Sequence, residues 1–437
     1  MPTEPTDQNH RPGNTPWAVD EAAGRPGREE ARSRADGGPP GAAEASGIDG
    51  RPPGSAAPAS RRQAAVAAGL AVALTGFWRL VSPLAGGKLC CDAANYLRMA
   101  ADPGQPVIRP HSSRVLVPWL THLLGGGRAT YHTITLACLA GALLLTYLLA
   151  RRLGGGHAWS LLAMAGLACS RGWVFYFYDP YLSDPAAFLL LAGGFLALVR
   201  ARPTWLLAPL LVLTAGAREL FAGMALPVYA WLRGRLLDPR AALRTAALLA
   251  PAVAAYALVL AVAPSLPPSD YQRPFPTVLA GILDKRMEQD GALWFGSAFA
   301  MSLGVWWPLA VTRLGAEPVR RLAWWLLPVL ANCLIGWDWS RYATYAFPVV
   351  TPAAALALTH APRRPLLLAA VALQALLPLA DLAAGRPQLN HPGPSLPLSL
   401  LLMAVVAVVL VPKPPRFART RSGWRAAVGQ PHGATRR

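Results

Sequence analysis

The sequence predicts an all-α protein: a polytopic transmembrane helical bundle of about 12 spans, with interfacial helices in the first and a later outer loop. Three observations lead there. Of 437 residues, 54% are hydrophobic and only 14% charged, against about 25% charged in soluble domains. Apolar runs recur at about 17–25 residues, the length that crosses a bilayer as a helix, and they lack the alternation of barrel strands. The charges also segregate. With loops numbered alternately inside and outside, eleven of the thirteen Asp and Glu beyond residue 62 fall outside. The short inner loops carry thirteen Lys and Arg and two acids, Asp238 and Glu317. Basic inner loops follow the positive-inside rule, and the outer acids point to a working site on the outer face.

Residues 1–62 are rich in Gly, Pro, Ala, Arg and Glu and almost devoid of aromatic or branched apolar side chains. Such a segment cannot bury enough surface to fold. It has no apolar core of the signal-peptide kind and is expected to be a disordered cytoplasmic tail. The transmembrane domain is expected over 63–412. Its spans are read at 63–85, 131–150, 157–177, 182–199, 204–217, 219–232, 245–264, 292–312, 322–337, 342–360, 365–384 and 396–412. Arg151 with Arg152, Arg200 with Arg202, the stretches 233–244 and 313–321, and Arg363 with Arg364 then fall inside. This alternation puts both termini in the cytoplasm. The two pieces in 204–232 are short for a bilayer of about 30 Å and read equally as a broken or re-entrant hairpin. Residues 413–437 form a second, basic cytoplasmic tail suited to anionic lipid headgroups.

The net charge of +19 is that of basic inner loops and tails. It implies membrane lipids as partners and no nucleic acid, since no nucleic-acid motif accompanies it. Of the five cysteines, Cys138, Cys169 and Cys333 lie in apolar spans as small packing residues. Cys90 and Cys91 are adjacent, a poor fit to disulfide geometry. No Cys and His spacing resembles a zinc site.

Two outer loops are long. The first, 86–130, holds an apolar piece at 115–124, too short to span and suited to an interfacial helix. The second, 265–291, has Val278, Leu279, Ile282 and Leu283 at amphipathic spacing within 276–289. In the first loop, Asp92 and Tyr96 share a face if 92–100 is helical. Arg109, His111 and Arg114 follow. A carboxylate at the lipid–water boundary suits a general base; it equally suits a helix cap. In the next outer turn, Asp184-Pro185 reads first as an N-cap with a first-turn proline. Asp179 reads as a ligand for a hydroxyl or metal, or as a turn residue. The aromatics Tyr176, Phe177, Tyr178 and Tyr181 fit sugar stacking or an interfacial belt.

Arg218-Glu219 lies between two short spans, either as a functional pair at membrane depth or as a self-satisfied ion pair. The run Trp337-Asp338-Trp339-Ser340-Arg341-Tyr342 sets an arginine among aromatics. It suits a lipid phosphate, which guanidinium grips bidentately, or an Asp338–Arg341 pair between spans.

At these residues the chain resembles the GT-C superfamily of polytopic glycosyltransferases. The fragment Asp92-Ala-Ala-Asn95-Tyr96-Leu-Arg98, followed by Arg114-Val-Leu-Val-Pro118, is similar to the first outer loop of bacterial members. The turn at 179–185, Arg218-Glu219 and Arg341-Tyr342 look like later recurring positions. The resemblance implies an integral membrane enzyme that takes a sugar from a polyprenyl-phosphate carrier to a glycan, lipid or protein acceptor on the extracytoplasmic face, with inversion. It implies Asp92 as catalytic base. Tyr96, Arg114, Asp179, Asp184, Arg218, Glu219, Asp338, Arg341 and Tyr342 would bind substrate, with Arg341 or Arg218 facing the leaving phosphate. Many members carry two acids, or an acid beside a His, in the first loop. Here Cys91 and Ala93 flank Asp92, and Asp102 and His111 lie further along, so no metal cofactor is assigned. The alternative is a multi-span transporter or lipid-linked-sugar flippase without catalysis. It would place ionisable groups at the midplane, whereas here the acids gather near outer span ends.

Overall fold

A computed structural model describes residues 58–82, 91–200, 206–233, 236–266, 280, 291–335, 339–361, 364–384 and 395–410. The amphipathic stretch expected over 276–289, apart from residue 280, the first tail up to residue 57 and the whole of the second lie outside the described residues.

Helix α1, Arg61–Val81, begins in a capping box: Gln63 N–H donates to Ser60 Oγ and Ser60 N–H to Gln63 Oε1. Its buried residues Ala67, Ala71, Thr75 and Trp78 recur every three or four positions and face helix α4, Arg128–Arg152. Between them lie α2, Cys91–Ala101, a 3-10 turn at His111–Ser113, and α3, Leu116–Leu123. The latter is the short helix expected at 115–124, with Val117 buried and Leu123 exposed.

With 25 residues, α4 is about 37 Å long and forms the axis of the bundle. It packs against α1, α5 (His157–Ala168), α7 (Asp184–Val199) and α15 (Phe347–His360). Helix α6, Arg171–Tyr178, continues α5 after a 50° bend at Cys169 and Ser170, the latter in extended conformation. After α7 come α8 (Leu207–Ala217), a 3-10 segment Glu219–Met224, α9 (Ala225–Leu232) and α10 (Pro239–Val262). Asp238 caps α10 by accepting from Arg240 and Ala241 N–H, with Pro239 in the first turn. The remaining described helices of six or more residues are α11 (Gly291–Ser302), α12 (Trp306–Val311), α13 (Leu326–Ile335), α14 (Trp339–Thr344), α15, α16 (Arg364–Ala383) and α17 (Ser395–Leu410). Among the described residues the extended pairing is one short parallel bridge, Val107–Ile108 beside Ser265–Leu266, which ties the first loop to the end of α10.

The expected count of about 12 spans is corrected. Among the described residues four helices, α1, α4, α10 and α16, are long and apolar enough to cross a membrane, and the bent pair α5–α6 makes a fifth. The other expected spans are interrupted or short. Arg218, fully extended at φ −161° and ψ 143°, breaks 204–232. Gly304, at φ 53°, separates α11 from α12. The stretch 322–337 is divided by a 3-10 turn at Ala323–Trp325, and 342–360 by the junction of α14 and α15. Helices α7 and α17 have 16 residues each, about 24 Å against a hydrocarbon core of about 30 Å.

Two opposite ends can be told apart along α4. Near its start, Thr135 Oγ1 donates to Pro180 O at 2.6 Å, drawing in the α6–α7 turn. At its far end lie Arg151 and Arg152, beside the start of α5, where Gly156 N–H donates to Thr359 Oγ1 at 3.1 Å. Large apolar side chains point outward on α1 (Val72, Leu80), α10 (Leu243, Leu258) and α17 (Leu401, Val408). Faces of this kind suit lipid rather than water. Gly172 on α6 sits so close to α14 that a Cβ there would meet Thr344 Oγ1 at 2.1 Å. That close approach brings α14, with Arg341, into the bundle.

Candidate functional site

The breaks in the helices gather charged residues at the start end of α4. Asp184 stands in the first turn of α7, wholly buried at 0% exposure. It does not cap that helix, which corrects the sequence expectation: Ser183 occupies the cap position, without a capping bond. The Asp184 carboxylate is gripped instead by distant residues. Arg341, on α14, donates to Asp184 Oδ2 through Nε at 3.1 Å and also through Nη2. Arg218 Nη1 lies 3.3 Å from Oδ1, and Tyr345 OH donates to Oδ1 at 2.5 Å. Both arginines are buried. Tyr342 and Tyr345 place their rings 5.9 and 6.0 Å from Arg218 Cζ, within cation–π reach. A buried carboxylate needs this many donors to remain ionised.

Arg341 has a second carboxylate partner. Its Nη1 reaches Asp92 Oδ2 at 3.2 Å. The helix expected to carry Asp92 and Tyr96 on one face is present as α2, and both side chains reach the site. Asp92 differs from Asp184 in being 27% exposed at its side chain. Its other partner is His111, Nε2 to Oδ1 at 3.5 Å. Sequence spacing gave no reason to join these two; the 3-10 turn folds the ring back over α2. Burial raises the Asp92 pKa, but Arg341, His111 and Arg114 together outweigh it and hold the carboxyl below its usual range. Burial pushes the His111 imidazole down to about 4; nearby Asp92 favours the charged form, and Arg114, Arg341 and Arg218 oppose it. His111 is therefore neutral at pH 7.

A second arm runs through Tyr96, which is fully buried. Its OH accepts from Arg114 Nη1 at 3.0 Å and lies 3.4 Å from His111 Nδ1 and 3.5 Å from Ser183 Oγ. Arg114 forks onto Glu219, Nε to Oε2 at 3.0 Å and Nη2 to Oε1. So Arg218 and Glu219, neighbours in sequence, serve different partners: Arg218 turns to Asp184 and Glu219 to Arg114. The chain is extended at Arg218 and turns into the 3-10 segment at Glu219, and the two side chains go to different partners. The Glu219 side chain is 38% exposed, so Asp92 and Glu219 are the open edges of an otherwise closed cluster.

Asp179 ends α6 and forms the turn. Burial raises its carboxyl to about 6; Arg341 pulls it down, and Asp92 and Asp184 push it up. Of the aromatics considered for sugar stacking, Tyr176 and Phe177 are instead core residues. Phe188 at the centre of that core packs against Trp173, Tyr176, Tyr345 and Phe347 at centroid distances of 4.8 to 5.3 Å. Asp338 lies outside the described residues, and with it the proposed Asp338–Arg341 pair. His111, Ser183 and Tyr345 are the site residues that sequence reasoning did not single out. For Tyr345 a signal existed, its spacing of four from Arg341. Among the described residues, no three His, Cys, Asp or Glu side chains group as a metal cage. No protein-family model, curated protein or solved structure matches this chain.

Proposed function

We propose that the chain is an integral membrane glycosyltransferase of the GT-C type, transferring a sugar from a polyprenyl-phosphate carrier to an acceptor hydroxyl on the extracytoplasmic face. The observation that carries the reading is the asymmetry of the two aspartates on Arg341. Asp184 is sealed and saturated with donors, an anchor for two arginines. Asp92 is partly open, ionised, and beside a neutral imidazole, which is the state a general base requires.

The acceptor oxygen attacks the anomeric carbon from the face opposite the phosphate and forms the new C–O bond. Its proton passes to Asp92. The bond from the anomeric carbon to the phosphate oxygen breaks, and its electron pair leaves with the lipid phosphate. Arg341, with Arg218 behind it, supplies fixed positive charge toward that anion. Arg114 and Tyr96 hold the α2 side of the site in register. All these groups lie at one end of α4, opposite Arg151 and Arg152. That arrangement supports a one-sided site over the midplane site of an alternating-access carrier, and it supports an outer location by the positive-inside rule.

The test is sugar transfer from a polyprenyl-phosphate sugar by purified full-length protein in lipid. Asp92→Asn is expected to lower turnover by about 10²–10⁴-fold with insertion unchanged. Wild-type-like transfer by this variant would sink the assignment.

A further inference from the structure

Arg341 bridges two carboxylates of unequal hold. It gives Asp184 two of its nitrogens, Nε and Nη2, and Asp184 has further donors in Arg218 and Tyr345. It gives Asp92 one nitrogen, Nη1, at 3.2 Å. The Asp184 side is fully buried, and the Asp92 side is the solvent-facing edge. An incoming anion therefore meets the Asp92 contact first, and that contact is the weaker one. We propose that the phosphodiester of the donor takes Arg341 Nη1 in exchange for Asp92, so that Asp92 is held by Arg341 in the empty site and released as a base only when the lipid-linked phosphate is bound.

This inference rests on the glycosyltransferase reading and adds a regulation to it. The physical basis is competition for one donor. Two anions cannot both optimise a single N–H, and the donor's phosphodiester brings two non-bridging oxygens to an edge that Asp92 meets with one. Arg341 cannot swing away, because Asp184 fixes the other edge of its planar guanidinium. Once freed, Asp92 loses its nearest cation. It keeps the His111 contact, with Arg114 and Asp179 as the other charged groups facing it. Burial and the new anion then both raise its proton affinity. An empty site stays poorly basic, and donor binding arms it.

The exchange has a signature that a static contact lacks: binding takes up a proton. The measurement is calorimetric titration of full-length protein in nanodiscs with a short-chain polyprenyl methyl phosphate, a phosphodiester that has no sugar to transfer. It is run at pH 6 in two buffers of different ionisation enthalpy, for wild type, Asp92→Asn and Asp92→Ala. Size-exclusion profiles confirm that each variant is folded. With exchange, both variants bind about tenfold tighter than wild type, the value of one charged hydrogen bond given up. Wild type takes up an additional fraction of a proton relative to both. Equal affinity and equal proton uptake in all three proteins would overturn the exchange while leaving a lipid-phosphate site intact. Failure of all three to bind would overturn the exchange and the donor assignment together.

Discussion

Two buried ion clusters in this protein use the same chemistry and differ in how they are closed. In the candidate site, Asp184 holds Arg218 and Arg341, and the cluster opens outward through Asp92 and Glu219. Away from it, Arg171 at the start of α6 lies 3.3 Å from Asp381 near the end of α16. Asp381 also accepts from Ser395 Oγ at 2.6 Å and Ser395 N–H at 3.3 Å, at the start of α17. Ser399, one turn on, donates to Ala300 O and Gln374 Oε1. Both carboxylates, Asp184 and Asp381, are sealed from solvent. The α6–α16–α17 cluster has no partly exposed acid comparable to Asp92 among the described residues, and it sews the last two helices to the bundle. A buried pair by itself is thus a fastening. A buried pair that continues into a half-open carboxylate is a place where an outside molecule can compete.

Substitutions should separate the fastening from the site. The largest combined effect is expected from Asp184→Asn. Removing the charge beneath Arg218 and Arg341 should cost about 3–5 kcal/mol of stability and abolish transfer, read as a lower melting temperature in detergent and a lost turnover. Asp381→Asn removes the charge facing Arg171 and should cost a similar amount, about 3 kcal/mol. Turnover per folded molecule should stay unchanged at a temperature where the variant remains folded. A fall in turnover there would show that the second cluster also positions the site, and the contrast would fail.

The smallest effect is expected at Asp179, and its sign follows from pH. Its carboxyl is raised to about 6 from the ordinary 3.8, so the fold favours the protonated form. That contribution is present below pH 3.8 and lost as pH rises through 6. Asp179→Asn should therefore melt higher than wild type at pH 8 and equally at pH 4. His111 runs the other way. Lowered to about 4 from 6.5, it stabilises fully above 6.5 and loses that as pH falls through 4. The Asp179→Asn comparison, made at both pH values, isolates one from the other.

Parts of the site were legible in the chain. Asp92 and Tyr96 stand four apart in a helix-compatible run, and helix geometry alone puts them on one face. The gathering of acids in the loops between apolar runs was visible from charge counts. Asp-Pro at a helix start is a strong local pattern for capping, and Asp184 departs from it. The interaction that prevails comes from Arg341, 157 residues away, and no local window contains it. The Arg218–Glu219 pair was ambiguous for the same reason. Adjacent opposite charges pair or part according to one backbone angle, and that angle is set by packing.

From the sequence by itself came the apolar helical character, the segregation of charge between loop sets, and the candidacy of the outer acids. These follow from residue type and order, because burial of apolar side chains and the placement of charges near a membrane act residue by residue. The tertiary structure decided how many runs are continuous helices, and which carboxylate meets which arginine. Mean hydropathy averages across a break, whereas a helix ends at a single extended residue or a positive-φ glycine. An ion pair is an agreement between distant positions, made only when α2, α7, α8 and α14 have brought their ends together.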